Sequence, residues 1–196
     1  PHAELARTIV REAKRAGIKL REHSLSLSPN REDMTLSLAW MNAPARERPP
    51  EGLPGVLLIN STRTCGKALR ACPSLLLPHG VSLPCWEALK RRHVRSMDTK
   101  GWAREVVHLL PKWAYLLAEE VRKLRSRKLS RSECLSLLAE LGRGRRGGVR
   151  MNWTRLGRVE RSLWPEGGEE PKTAWDLLTA FGRASAAGSP LLHPQR

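Results

Sequence analysis

Lysine and arginine are abundant among the residues of this chain that could do chemistry, and 16 of the 35 form three clusters in its middle half. Lysine and arginine side chains hold the phosphate oxygens of nucleic acids, and such contacts set affinity and register without reading base sequence. Ser61, Thr62 and Thr64 lie beside the first cluster and add hydroxyl groups suited to phosphate. The candidate nucleic-acid-binding residues are Arg63, Lys67 and Arg70 in the first cluster, Lys90, Arg91, Arg92 and Arg95 in the second, and Arg122, Lys123, Arg125, Arg127, Lys128, Arg143, Arg145, Arg146 and Arg150 in the third.

The formal net charge of +16 is concentrated in this same part of the sequence. Residues 61–158 carry 22 basic and 7 acidic side chains, whereas residues 1–60 carry 9 and 7 and residues 159–196 carry 4 and 5. A concentrated positive field attracts a polyanion, and each neutralised phosphate releases counterions. We therefore expect nucleic-acid binding that weakens steeply with salt. An interaction module whose charge only gives solubility is a competing interpretation.

Tryptophan is the main source of aromatic platforms, since tyrosine and phenylalanine occur once each. Proteins that bind single strands stack bases on such rings. Trp86 adjoins the second basic cluster and Trp153 follows the third, so these two are the base-stacking candidates. The tryptophans expected in the core, because they recur with aliphatic residues at helical spacing, are Trp102, Trp113 and Trp175.

Motifs of nucleotide-hydrolysing and peptide-hydrolysing enzymes do not occur in the sequence. It contains no G-x-x-x-x-G-K-[ST] loop, no G-x-S-x-G and no H-E-x-x-H. We therefore expect no enzymatic activity and no cofactor. Glu87, Asp98 and Glu105 lie in the basic half, and a carboxylate cluster with a metal ion could cleave phosphodiesters. A metal-dependent nuclease thus stays open as an alternative.

The four cysteines give no regular metal-binding pattern. Structural zinc sites use short, paired ligand spacings, whereas a set made of Cys72, His79, Cys85 and His93 is wide and irregular. We expect no metal site there and free thiols, several of them buried.

Hydrophobic periodicity predicts an α+β fold, with a small antiparallel sheet of about four strands followed by and packed with several helices. The first segment, residues 4–16, is a predicted helix that Gly17 ends. Alternation on both sides of a turn at residues 28–30 predicts a β-hairpin whose serine and threonine residues face outward. Short apolar runs at residues 55–59 and 75–77 predict two further strands.

The second half of the chain is predicted to be helical. Apolar residues recur at helical spacing from residue 102 to residue 124, and Ser130 with Glu133 has the pattern of a capping box. The remaining predicted elements are a flexible basic loop over residues 143–148 and helices over residues 153–163 and 172–187.

This organisation predicts a single α+β domain over residues 1–187. It comprises the N-terminal helix and hairpin in residues 1–54, a strand and basic segment in residues 55–100, and the helical part in residues 101–187. The tail at residues 188–196 is expected to be loose.

A membrane partner is not expected. No stretch approaches the ~20 apolar residues that cross a bilayer, and the first 16 residues are charged and lack an apolar signal core. We therefore expect a cytoplasmic protein.

Several segments, in order, resemble the phage/plasmid-like protein family of unknown function. The segment Leu57-Leu58-Ile59-Asn60-Ser61, followed by Gly66 and by Ala68-Leu69-Arg70, resembles the signature of that family. Arg92-His93 is similar to a later Arg-His, and residues 172–180 are similar to its closing Thr-Ala-Trp helix. Order and approximate spacing agree over residues 55–187, although this chain has Arg-Thr-Cys-Gly at residues 63–66 where the family commonly has His-Asp-Gly.

The resemblance implies a place in phage or mobile-element recombination. The strand-then-helix plan of the family is similar to that of RecT-type and Erf-type single-strand annealing proteins. Those proteins form rings or filaments and hold single strands in a basic groove without hydrolysing ATP. The resemblance therefore implies a homo-oligomer, either ring or filament, that binds and anneals single-stranded DNA. An RNA-binding ribonucleoprotein component is the alternative, because basic loops such as residues 143–148 commonly order on RNA.

Overall fold

The computed structural model describes residues 2–62, 68–77, 80, 82–85, 89–92, 98–143 and 153–186. Their elements, in chain order, are α1 (His2–Arg15), β1 (Leu20–Leu27), β2 (Asp33–Trp40), a 3₁₀ turn (Ala45–Glu47), β3 (Leu53–Ser61), β4 (Ala68–Leu76), β5 (Ser82–Pro84), β6 (Leu89–Arg92), α2 (Thr99–Ser126), β7 (Lys128–Leu129), α3 (Arg131–Arg143), α4 (Trp153–Leu163), β8 (Lys172–Thr173) and α5 (Ala174–Ala186). The predicted α+β class is confirmed, but the main sheet has six strands, more than the four expected.

The chain divides into two compact units, residues 1–120 and residues 121–196. The first unit contains α1, the six-stranded sheet and most of α2, whereas the second contains the end of α2, the two-stranded β7–β8 sheet and α3 to α5. The single domain predicted over residues 1–187 stays a prediction.

In the first unit, the strands run in the order β1-β2-β3-β4-β5, and β6 also pairs with β4. Every pair is antiparallel. Even-numbered residues of β2 and β3 point to one face, which packs against the apolar sides of α1 and α2. This core includes Leu5 and Ile9 of α1, Met34, Leu36 and Leu38 of β2, Val56 and Leu58 of β3, Leu69 of β4, and Trp102, Val106 and Leu110 of α2.

Helix α1 ends at Arg15, and Gly17 terminates it as the sequence predicts. This glycine has φ +72°, the left-handed conformation that favours glycine. The N–H of Ile18 donates to the Ala13 carbonyl at 2.9 Å, and the N–H of Gly17 donates to the Lys14 carbonyl at 3.1 Å, which is a Schellman motif. The turn directs the chain into β1 and fixes the position of α1 on the sheet.

The face of the sheet opposite the two helices, here called the outer face, is concave. The hydroxyl of Ser37 on β2 donates to the hydroxyl of Ser82 on β5 at 2.9 Å, although two strands lie between them. Small residues permit this curl: a Cβ added to Gly55 would lie 2.1 Å from the Leu38 carbonyl oxygen. The glycine is therefore required by close approach of the neighbouring strand.

The predicted hairpin is confirmed as β1 and β2. Ser24 and Ser26 are exposed as predicted, but the exposure of three other residues was predicted wrongly. Ser37 is buried on the outer face because the sheet curls over it. Leu25 and Leu27 are 50% and 41% exposed, because β1 is the end strand in the order and the two helices pack toward the middle of the sheet. Ser37 is thus buried where alternation predicts exposure, and the two leucines are exposed where it predicts burial.

In the second unit, α4 and α5 pack with α3 around a separate apolar core. The predicted capping box is confirmed: the Ser130 N–H donates to the Glu133 carboxylate at 2.7 Å, and the Glu133 N–H donates to the Ser130 hydroxyl at 3.3 Å. Helix α4 has the predicted bounds. The core residues of this unit are Leu129, Cys134, Leu138, Leu156, Val159, Leu163, Trp164, Leu177, Ala180 and Ala184.

Candidate nucleic-acid interface

The predicted basic residues divide between the two units. Side chains are described for nine of them: Arg70, Lys90, Arg91 and Arg92 in the first unit, and Arg122, Lys123, Arg125, Arg127 and Lys128 in the second. Arg143 belongs to α3, but its side chain is not described. The predicted residues outside the described ranges are Arg63, Lys67, Arg95, Arg145, Arg146, Arg150 and Trp86.

The second basic cluster forms a short strand, β6, beside β4. Lys90 lies directly opposite Arg70 in this antiparallel pair, and Arg92 lies opposite Ala68. Residues that are directly opposite, or two apart along a strand, share a face of the sheet. Arg70, Lys90 and Arg92 therefore lie together on the outer face, and we call them the cation patch.

Arg91 lies between two members of the patch in sequence but belongs to the other face. Its register partner is Leu69, which is in the core against the helices. The Arg91 guanidinium donates to the Glu105 carboxylate on α2 at 3.1 Å. Arg91 thus pairs with an acid of its own unit, while its two neighbours along β6 share the face of Arg70.

The outer face continues from the cation patch across the sheet. Arg70 is in register with Ile59 on β3, which in turn is in register with Thr35 on β2. Both of these side chains are half-buried, so part of each contacts solvent. The cross-strand row thus contains two cations, Lys90 and Arg70, then an aliphatic side chain and a hydroxyl group. This composition is suited to binding a sugar–phosphate backbone.

A second set of cations lies at the end of α2, in residues 122–128, and we call it the basic segment. All five of its lysine and arginine side chains are exposed, and it contains no acidic residue. Buried Val121 and Leu129 flank the segment, and the Arg127 carbonyl accepts from the Ala174 N–H at 2.9 Å. Cations at a helix C-terminus are also stabilised by the helix dipole. The second unit therefore holds the segment in place and directs its charges to solvent.

Trp153 is 58% exposed as the first residue of α4. Trp102, Trp113 and Trp175 are buried, as the sequence predicts. An exposed indole ring next to solvent is available for stacking on a base, so Trp153 keeps its predicted role as a candidate.

Two cations that the sequence analysis omitted lie on the same helix as Trp153. Arg158 and Arg161 are both exposed. Arg161 is eight residues from Trp153, so both lie on one side of α4. The helical spacing of these residues was the signal that could have found them.

Arg131, which directly follows the basic segment in sequence, has a structural role instead. Its guanidinium donates to the carbonyls of Gly167 at 3.1 Å and Gly168 at 3.3 Å, and to the Glu160 carboxylate at 3.2 Å. It also lies 5.5 Å from the centre of the Trp164 ring. The Arg131 side chain thus stabilises the loop after α4.

Comparison with known proteins gives this chain no family: no protein-family model, no curated protein and no solved structure matches it. The resemblance to the phage/plasmid-like family therefore stays a hypothesis. Among the residues that the structure describes, every helix is too short or too polar to cross a membrane.

The acidic residues considered for a metal site have other partners where they are described. Asp98 caps α2, because its carboxylate accepts from the Gly101 N–H at 2.8 Å. Glu105 pairs with Arg91, and Glu87 lies outside the described ranges. Within those ranges, no three His, Cys, Asp or Glu side chains form a group that could hold a metal ion.

Three of the cysteines are described, and all three are free thiols, with Cys72 and Cys134 buried. Although Cys85 is exposed as a residue, surrounding protein atoms desolvate its thiolate and, with a smaller contribution from Cys72, raise its pKa to about 11. At neutral pH Cys85 is therefore protonated and weakly nucleophilic. The zinc set considered above includes His79 and His93, which lie outside the described residues.

Proposed function

We propose that the protein binds single-stranded DNA through the cation patch and the basic segment, and that it anneals complementary strands without hydrolysing ATP. The observation that carries this proposal is the placement of Arg70 directly opposite Lys90. The biological setting that we propose, by resemblance alone, is phage or mobile-element recombination.

Directly opposed like charges weaken a pair of strands. Cross-strand Cβ atoms are about 4.5–5.5 Å apart, and like-charged residues at directly opposite positions destabilise the pair. Arg92 adds a third cation two residues along the same face. Three cations on one face create a local positive field, which supports a polyanion as the ligand of this face.

The proposed mechanism needs no bond chemistry. Phosphate contacts from lysine and arginine hold the backbone of the first strand, while its base edges stay open for a complementary strand. Trp153 would stack on a base and slow its release. Assembly of several copies into a ring or filament would align many weak sites and raise the avidity for a long strand.

Two measurements test the proposal. Fluorescence anisotropy with a labelled single-stranded oligonucleotide should give an affinity that falls steeply as salt is raised, since bound phosphates release counterions. A quenching assay with two complementary strands should show faster pairing when the protein is present and ATP is absent. An affinity that does not change with salt would eliminate the proposal, and a clear preference for folded RNA in competition would assign the surface to RNA instead.

A further inference from the structure

Among the described strands, β1 lies at one end of the main sheet, and part of its backbone is directed away from the sheet. The Ser28 N–H donates to the Asp33 carbonyl at 2.9 Å, where the hairpin closes. In antiparallel pairs, residues that bond to the neighbouring strand alternate with residues that do not. Ser26, opposite Thr35, therefore bonds inward, whereas the N–H and C=O groups of Leu25 and Leu27 point outward.

The side chains of these two residues are also exposed. Leu25 lies opposite Leu36 and Leu27 lies opposite Met34, so all four share the helix-covered face. Leu36 and Met34 are each 1% exposed, whereas Leu25 is 50% and Leu27 is 41% exposed. Edge strands are usually protected from further pairing by charges or proline, and residues 24–28 contain neither.

We infer that β1 pairs with β1 of a second copy of this chain, in antiparallel orientation about a two-fold axis at Ser26. The evidence for an identical partner is the sequence of residues 24–28, Ser-Leu-Ser-Leu-Ser, which reads the same in both directions. In a two-fold interface the same surface meets itself, and this palindrome places leucine opposite leucine and serine opposite serine.

Pairing about Ser26 satisfies the backbone and the side chains together. Leu25 lies opposite Leu27 of the second copy. The outward N–H and C=O groups of these two residues therefore form hydrogen bonds with each other. Four leucines then gather on the helix-covered face, and serines meet on the outer face. A bulge at Glu22–Ser24 ends the regular part of β1 on one side, and Pro29 follows on the other, so the pairing is confined to this short segment.

The inference does not rest on the proposed function, because it uses no basic residue. A two-fold contact closes on itself and gives a dimer, whereas a ring of more than two copies or a filament needs a contact between two different surfaces. The β1 contact is therefore a separate interface from the contacts proposed for such assemblies.

A cysteine cross-link tests the axis directly, in a C85S background that removes the exposed thiol described above. Ser26 would face itself across a non-hydrogen-bonded pair, with Cα atoms about 4.5 Å apart, a separation that a disulfide spans. S26C should therefore form a covalent dimer on mild oxidation, identified by mass spectrometry of the linked peptide. S24C is the matched control: in this register position 24 faces position 28, and the two copies of position 24 lie about 13 Å apart. Cross-linking of S24C but not of S26C would overturn the inference.

Sedimentation velocity supplies an independent test on the full chain. In the absence of nucleic acid, the wild type should sediment as a dimer, and the double variant L25K/L27K as a monomer with an unchanged circular dichroism spectrum. L116K is the matched control, since Leu116 is 39% exposed and belongs to α2, not to β1, and this variant should stay dimeric. A monomeric wild type at the highest soluble concentration, or a dimer that survives L25K/L27K, would overturn the inference. Oligonucleotide binding is measured separately, so a negative result for dimerisation does not contradict the proposed function.

Discussion

Arg70 on β4 and Lys90 on β6 lie directly opposite each other in the antiparallel register, so two cations occupy one cross-strand position. One residue along, Arg91 lies on the other face and pairs with Glu105. Adjacent positions of one strand therefore differ in role: Arg91 stabilises its own unit, whereas Lys90 adds charge to the outer face. This difference allows binding and folding to be separated by single substitutions.

We predict that Lys90→Gln weakens single-strand binding with little change in stability. Loss of one phosphate contact should reduce the slope of log affinity against log salt concentration by about 0.7. The free energy of unfolding should change by no more than about 1 kcal/mol, because Lys90 is exposed and exposed charges contribute little to stability. Anisotropy at several salt concentrations and urea unfolding measure the two quantities.

Arg91→Gln is the control for that substitution, since it removes the same type of charge from the same strand. It should keep the affinity for the oligonucleotide within a small factor. Exposed ion pairs contribute about 0–1 kcal/mol, so its stability should also change little. Equal loss of binding in both variants would mean that net charge, rather than the cation patch, determines affinity.

We predict that Trp153→Ala weakens single-strand binding by about 1–3 kcal/mol, the range for loss of one base–aromatic stack. Trp153→Phe should retain most of the affinity, because a smaller ring still stacks. Tyr115→Ala removes another exposed aromatic side chain, from the middle of α2, and should have no effect. Competition with unlabelled strands measures all three variants, and an unchanged affinity for Trp153→Ala would remove this residue from the interface.

Local sequence signals predicted the elements whose cause is local. Gly17 ends α1 through its own φ angle, and Ser130 with Glu133 caps α3 through contacts three residues apart. Strands β5 and β6 were missed, because they contain three and four residues and lack an alternating apolar pattern. Both strands form by pairing with β4, and this contact with another segment of the chain is not visible in their own sequences.

The sequence predicted which basic residues are clustered in the candidate site, but not the face of the sheet on which each of them lies. Charge clusters marked Lys90, Arg91 and Arg92 together, yet the register of β6 places Arg91 on the other face from its neighbours. Likewise, Arg131 continues the basic segment in sequence, but carbonyls 36 and 37 residues away fix its side chain. Such distant partners decide which cations are available, and no short-range pattern specifies them.

We predict that Glu12 on α1 makes stability depend on pH in the acid range. Burial alone would raise its pKa, but the hydrogen bond from Arg104 and the charges of Arg15, Arg104 and Lys100 lower it below the ordinary value of 4.5. Because the folded pKa is below the unfolded one, the stabilisation is present above about pH 4.5 and is lost as pH falls through the folded pKa.

Glu12→Gln tests that dependence. The variant should be less stable than the wild type at neutral pH, and the difference in the free energy of unfolding should shrink as the pH is lowered. Urea unfolding at a series of pH values measures it. A difference that is the same at every pH would show that the carboxylate charge does not contribute.

We predict that the curl of the sheet depends on Gly55, and a pair of glycine substitutions tests this. In Gly55→Ala the new Cβ would meet the Leu38 carbonyl oxygen at 2.1 Å and the Ala39 Cα at 3.2 Å. These are backbone atoms of β2, so relief requires the strand to move, and we expect a loss of about 3 kcal/mol or more. Gly157→Ala, in the middle of α4, has no atom within 4 Å of the new Cβ and should stabilise the second unit by about 0.5–1 kcal/mol. Thermal and urea unfolding compare the two variants. If Gly55→Ala were tolerated as well as Gly157→Ala, the close approach of β2 and β3 could not be what brings Ser37 to Ser82, and the concave outer face would need another cause.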